Sequence, residues 1–188
     1  MQKKVWFSLI VTALLASTVQ AKVSKEYYEN GKVHYEINYE KGQKNGITRE
    51  YYPNGKLKAK WNYRNDQLNG VSVQYDENGH KTAEVNFVNG VQEGVTRKYD
   101  QNGQLKYELT YQNEKLNGVV KEYENGRLTA QWHYKDGIKN GTGIVYYPSG
   151  KKKLELEYKN GKLNGISKEF FENGNPKAEW HYTDGVLD

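Results

Sequence analysis

Gly46-Ile47-Thr48-Arg49-Glu50-Tyr51-Tyr52-Pro53-Asn54-Gly55-Lys56-Leu57-Lys58-Ala59-Lys60-Trp61-Asn62-Tyr63 holds two short runs of alternating side chains on either side of a Pro-Asn-Gly triplet. Alternation with period two is the signature of a half-buried strand, and Pro-Asn-Gly supplies the backbone angles of a tight turn. The stretch therefore predicts a β-hairpin. Arg64-Asn65-Asp66-Gln67-Leu68-Asn69 then leads to Gly70, where the same pattern begins again.

Outward from this hairpin the chain repeats itself. Gly46, Gly70, Gly94, Gly118, Gly141 and Gly165 follow at steps of 24 residues, except for one step of 23 between Gly118 and Gly141. A second series, Gly31, Gly55, Gly79, Gly103, Gly126, Gly150 and Gly174, keeps the same step. The short interval arises because Tyr123-Glu124-Asn125-Gly126 lacks one residue that its neighbours carry before Asn-Gly. Seven units result, at 22–45, 46–69, 70–93, 94–117, 118–140, 141–164 and 165–188.

With the leading Gly as position 1, strands are expected over positions 2–7 and 11–18. Position 6 is Tyr27, Tyr51, Tyr75, Tyr99, Tyr123, Tyr146 and Phe170, and position 18 is aromatic in every unit as well. Position 16 is Ile, Trp, Val or Leu. Taken together, positions 6, 16 and 18 suggest one apolar face, with Glu, Lys, Asn and His on the other. A three-residue loop keeps that apolar set together by placing position 6 opposite 12, 4 opposite 14 and 2 opposite 16. Such a loop is a type I turn closed by a left-handed Gly, and Pro53 and Pro148 suit its first corner. The same register aligns Glu50 with Lys58 and Glu169 with Lys177 on the polar face. The seven turn glycines of the second series are thus structural, and each hairpin must pack on its neighbours to cover its apolar face.

The first unit starts directly after a different kind of segment. Met1-Gln2-Lys3-Lys4 is positively charged, Val5 to Ala16 is largely apolar, and Val19-Gln20-Ala21 offers small residues for cleavage. Residues 1–21 are therefore expected to be a signal peptide, and the apolar run is too short to span a bilayer. Cleavage after Ala21 leaves 167 residues, which equals seven units of 24 less one deletion. The expected location is exported, periplasmic or secreted, with no stable membrane insertion of the mature chain.

Composition narrows the chemistry. The full chain carries 28 Lys and Arg against 23 Asp and Glu, and no Cys; losing Lys3 and Lys4 leaves 26 basic groups. Disulfides and thiolate chemistry are excluded. Interleaved Lys and Glu with so small an excess argue against a nucleic-acid partner. A mean hydropathy of −1.01 would suit a disordered chain, but 13% aromatic residues and the strict periodicity do not.

Units such as Gly46 to Tyr63 resemble the MORN-repeat variant of bacterial proteins, and the resemblance covers essentially all of 22–188. It implies an all-β fold, an elongated antiparallel sheet of seven stacked 24-residue β-hairpin repeats, used for binding or scaffolding. Some bacterial relatives carry an antitoxin label. Lipid-kinase or methyltransferase activity in other MORN-bearing proteins belongs to separate domains, for which the repeats leave no room.

The expected function is an exported, non-enzymatic scaffold for a protein partner at the cell envelope or on a host; a carbohydrate-binding module is the alternative. Neither a cofactor nor a metal is expected, since His133 and His181 lie two units apart at position 17 and the Glu residues recur as a solvated ladder. The candidate binding residues are Tyr28, Tyr52, Tyr147 and Phe171. They occupy position 7, on the otherwise polar face, in only four of the seven units. Exposed aromatic side chains are enriched at binding surfaces, although packing against Lys stems accounts for them too.

Overall fold

A computed structural model describes residues 21–188; residues 1–20, and with them nearly all of the expected signal peptide, lie outside it. Every regular element is a strand. Seven hairpins follow one another: Lys22–Tyr27 with Val33–Glu40, Gly46–Tyr51 with Leu57–Arg64, Gly70–Tyr75 with Lys81–Val88, Gly94–Tyr99 with Leu105–Gln112, Lys115–Glu124 with Arg127–Lys135, Gly141–Tyr146 with Lys152–Lys159, and Gly165–Phe170 with Pro176–Thr183. Each second strand also pairs with the first strand of the next unit, as Ala59 with Gln74 and Lys60 with Val73. The result is one antiparallel meander running through all seven units.

The turns form as their residues demand. Gly55 N–H donates to Tyr52 O at 2.8 Å and Tyr52 N–H to Lys56 O at 2.8 Å, which closes a three-residue loop. Gly55 has φ +89°, and all seven turn glycines are left-handed. In the fifth unit the deletion reduces the loop to Asn125 and Gly126, both at positive φ (49° and 75°). Glu124 there pairs directly with Arg127, and the hairpin keeps its register. A second tight corner at positions 20 and 21, such as Asn89-Gly90, returns the chain through a two-residue strand to the next unit.

The register differs from the sequence expectation in one respect with large consequences. Tyr51 does pair with Leu57, position 6 with 12. A bulge between Glu50 and Tyr51 then shifts the ladder by one, so that Glu50 pairs with Ala59, Arg49 with Lys60 and Thr48 with Trp61. The same irregularity recurs in every hairpin. Because side chains alternate with period two, a one-residue shift exchanges faces. Positions 3 and 5 therefore share a face with 14, 16 and 18, whereas position 6 lies with 4 and 15 on the opposite one.

The core follows this assignment. Ile37, Ala59, Ala83, Val120 and Ala130 are buried, as are Thr48, Glu50, Ser72, Thr96 and Ser167. All ten occupy positions 3, 5, 14 or 16. Position 3 is small because the position-16 side chain of the preceding unit lies over it. A Cβ on Gly143 would meet the Trp132 ring at 2.5 Å. Of the 19 glycines, only Gly143 falls outside repeat positions 1, 10 and 21, and that ring explains it. No second layer of the described residues covers this face, so apart from Ile37 the large side chains at 16 and 18 stay half-exposed.

Candidate interaction surfaces

The four position-7 aromatics are built into the joints between units. Tyr28 Oη donates to Tyr51 O at 2.6 Å, Tyr52 Oη to Tyr75 O at 2.8 Å and Tyr147 Oη to Phe170 O at 2.8 Å. Each bond crosses from one unit to the carbonyl of position 6 in the next. Position 13 covers the rings: His34 stacks on Tyr28 with centroids 4.1 Å apart, and Lys58, Lys153 and Lys177 lie over Tyr52, Tyr147 and Phe171. Phe171, in the seventh unit, has no hydroxyl to donate and is 48% exposed. Where position 7 is Asp, the carboxylate turns back onto its own loop. Asp76 accepts from the N–H groups of Asn78 and His80, and Asp100 from those of Asn102 and Gln104.

On this same face a charged ladder runs between units. Tyr51, Tyr99 and Tyr123 donate their hydroxyls to Glu36, Glu84 and Glu108, at position 15 of the preceding unit. Lys25 pairs with Glu36 at 2.9 Å, and Arg97 bridges Glu84 and Glu108 at 3.9 and 3.0 Å. Hydrogen bonds from Lys25 and Tyr51, together with the nearby charges, hold the Glu36 carboxyl below its usual range despite partial burial. Position 17 satisfies the backbone. His133 Nδ1–H donates to Thr142 O at 2.6 Å, and Thr110 Oγ1 to Val119 O at 2.8 Å. His133 is thus a joint residue rather than surface decoration.

The opposite face is aromatic and open. A groove of about 310 Å³ between the first two units is lined by Tyr35, Ile37, Lys44, Glu50, Trp61 and Tyr63. Glu50 belongs to this face rather than the polar one, yet Lys58 still reaches it across the bulge at 2.7 Å. Trp61 Nε1–H adds a bond at 3.0 Å. Burial pushes the Glu50 carboxyl up, but the bonds from Lys58 and Trp61 and the Lys58 charge outweigh it and leave the group below the ordinary carboxylate range. Glu169 and Lys177 repeat the pair at 2.8 Å.

Two lysines at position 23 also face these rings. Lys44 Nζ lies 5.2 Å from the Tyr63 centroid, and Lys139 Nζ lies 3.5 Å from that of Trp132 and 5.2 Å from that of Tyr158. Burial lowers the Lys139 pKa, with the Glu122 charge opposing it. Sequence patterning alone missed these lysines, the inward Glu at position 5 and the small residues at position 3. One signal was present: Trp occurs at position 16 only in units with Glu at position 5, as Glu50 with Trp61, Glu122 with Trp132 and Glu169 with Trp180. The first two pairs are hydrogen-bonded, at 3.0 and 2.9 Å.

Comparison with known proteins places the chain by its repeats. No curated protein matches it. One solved structure, titled "Crystal structure of GtfA/B complex bound to UDP and GlcNAc", is similar at 16% identity and a TM-score of 0.24. That similarity covers 57% of this chain and only 21% of the other. The model of the MORN repeat variant matches residues 22–41, 44–65, 68–89, 92–113, 139–160 and 163–184. The unmatched stretch holds the unit with the one-residue deletion, which nonetheless forms its hairpin. With well over half of its residues in six such matches, the chain belongs to the MORN repeat variant family.

Proposed function

We propose that this chain is an exported, non-enzymatic scaffold that binds a protein partner of the cell envelope or of a host along the open aromatic face of its sheet. MORN-type repeats supply a frame for protein or membrane contact. One observation supports the choice of face: apart from the buried Ile37, the aromatic and aliphatic side chains of positions 16 and 18 run half-exposed through the seven units, with no layer of the described residues over them. The polar face spends its groups on joints between units. Lys44 and Lys139 have no carboxylate at ion-pair distance among the described residues, which favours a partner bringing carboxylates beside apolar side chains. Repetition makes such contact multivalent, so that individually weak sites add up.

The test begins with capture from envelope extract, identification of the partner by mass spectrometry and titration with the purified partner. Lys44→Glu with Lys139→Glu should weaken binding at least about tenfold, as like charges facing across an interface do, while leaving the β-sheet circular dichroism intact. A variant with Tyr28, Tyr52, Tyr147 and Phe171 all changed to Ala tests the other surface. If that variant loses binding and the lysine pair does not, the contact lies at position 7. Capture of glycans from an array, with no protein captured, replaces the partner class. Cell fractionation that finds the chain in the cytoplasm with Met1 intact overturns export.

A further inference from the structure

The joints between units obey a pairing rule that the two ends of the array also satisfy. Across each internal joint, position 15 of one unit lies beside position 4 of the next. Glu36 meets Arg49, Glu84 meets Arg97, Glu108 meets Lys121 and Glu155 meets Lys168. Where position 15 is not acidic, position 4 is not basic: Lys60 meets Val73, and Gln131 meets Ile144. Within single units the same two positions match in only three hairpins, Lys25 with Glu36, Arg97 with Glu108 and Lys168 with Glu179; elsewhere Arg49 lies beside Lys60, Glu84 beside Val73, Lys121 beside Gln131 and Glu155 beside Ile144. Every joint therefore keeps the rule, whereas only some hairpins do.

Size follows the joints as well. Trp61 is followed by Ser72 and Trp132 by Gly143, whereas Ile37 and Val85 are followed by the larger Thr48 and Thr96. A large side chain at position 16 thus meets a small one at position 3 of the next unit.

The last unit presents Glu179 at position 15 and Trp180 at position 16; the first presents Lys25 at position 4 and Ser24 at position 3. Among the described residues, neither the outer edge of Lys22–Tyr27 nor that of Pro176–Thr183 beside Ala178 and Glu179 has a partner strand. Val23, Tyr27, Val186 and Leu187 are 58%, 59%, 69% and 55% exposed. Arrays of this kind ordinarily end in units with a polar outer face, and open strand edges invite pairing.

We infer that a second copy of this chain docks head to tail, the edge of its first unit continuing the sheet from Pro176–Thr183. Ala178 pairs with the other copy's Glu26, and Glu179 with its Lys25. Trp180 covers its Ser24, and Tyr27 donates to Glu179 as Tyr51 does to Glu36. His181 stands where His133 serves the next unit's carbonyl. One internal contact has no counterpart, since Phe171 lacks the hydroxyl of Tyr28, Tyr52 and Tyr147. A head-to-tail contact that does not close into a ring extends into a filament.

Sedimentation of the chain purified from its producing cells, over a wide concentration range and with its amino terminus read by intact mass, tests this. The weight-average mass should rise to at least twice that of the monomer. Lys25→Glu and Glu179→Lys should each weaken association at least about tenfold, as facing like charges do, and the two together should restore it. Ser24→Trp, which fills the socket for Trp180, should give monomers with an unchanged circular dichroism spectrum. A sample that starts at Lys22 and stays monomeric overturns the assembly alone; one that keeps Met1 and stays monomeric overturns the processing reading with it. Association unchanged by all three single variants, or not restored by the double one, overturns this interface.

Discussion

The joint between the second and third units and the joint between the fifth and sixth carry the same tryptophan in the same slot and settle it differently. Trp61 lies in a unit where Glu50 is buried and takes a second bond from Lys58, and the next unit offers Ser72, fully buried. Trp132 also donates to its Glu122, but position 13 there is Thr129, and Lys139 sits over the ring. The next unit offers only Gly143, directly beneath. One tryptophan is fixed mainly from within its own hairpin, by a buried carboxylate that Lys58 also reaches, the other by close contact of ring with the next unit's backbone. Within one repeat, charge and shape can substitute for each other as long as position 3 stays small.

The contrast breaks most readily at the glycine. Gly143→Val should cost about 3 kcal/mol, the upper end of what over-packing costs, because an aromatic ring cannot yield as a flexible chain end can. Denaturant unfolding measures the loss. Trp132→Leu in the same chain should return most of it, and an unchanged double variant would show that the ring is not the obstacle.

In the second unit Glu50→Ala should cost about 2 kcal/mol, since it leaves the Trp61 N–H without its acceptor and removes the bond from Lys58. Acid should act through the same group. A carboxyl held below its unfolded value contributes stability above about pH 4.3, the ordinary Glu value, and loses it as pH falls through the folded value. Glu36, Glu84 and Glu108 are shifted the same way. Wild type should therefore weaken steadily on acidification, and Glu50→Gln should show a shallower loss over that window. Parallel acid profiles would remove Glu50 from the account.

Gly103→Val serves as the control for shape. A Cβ there meets nothing closer than His80 Cβ at 4.0 Å, but φ is +77°. Its cost should come from backbone strain alone, roughly 1–2 kcal/mol, and Trp132→Leu should not relieve it. The smallest effect is at position 7. Tyr52→Phe removes one hydrogen bond between units and should cost about 1 kcal/mol, whereas Phe171→Leu, at an exposed ring that carries no hydroxyl, should leave the melting temperature close to that of wild type.

Much of this protein was legible in its sequence because turns are local. Pro53-Asn54-Gly55, the 24-residue step and the deletion before Asn125 announce the hairpins, their number and the left-handed glycines, since those depend on the backbone preferences of a few adjacent residues. The order of units along one open antiparallel sheet followed, as a hairpin cannot bury its own face. Which face is buried was decided only in three dimensions. A single bulge between Glu50 and Tyr51, repeated in every unit, carries Tyr51 to the charged ladder and Glu50 to the aromatic side, and alternation alone cannot register a shift of one. The position-7 hydroxyls and the small residue at position 3 likewise acquire meaning only from the next unit. Their partners stand about 11 or 23 residues away in the chain and touch because the sheet stacks one hairpin on another.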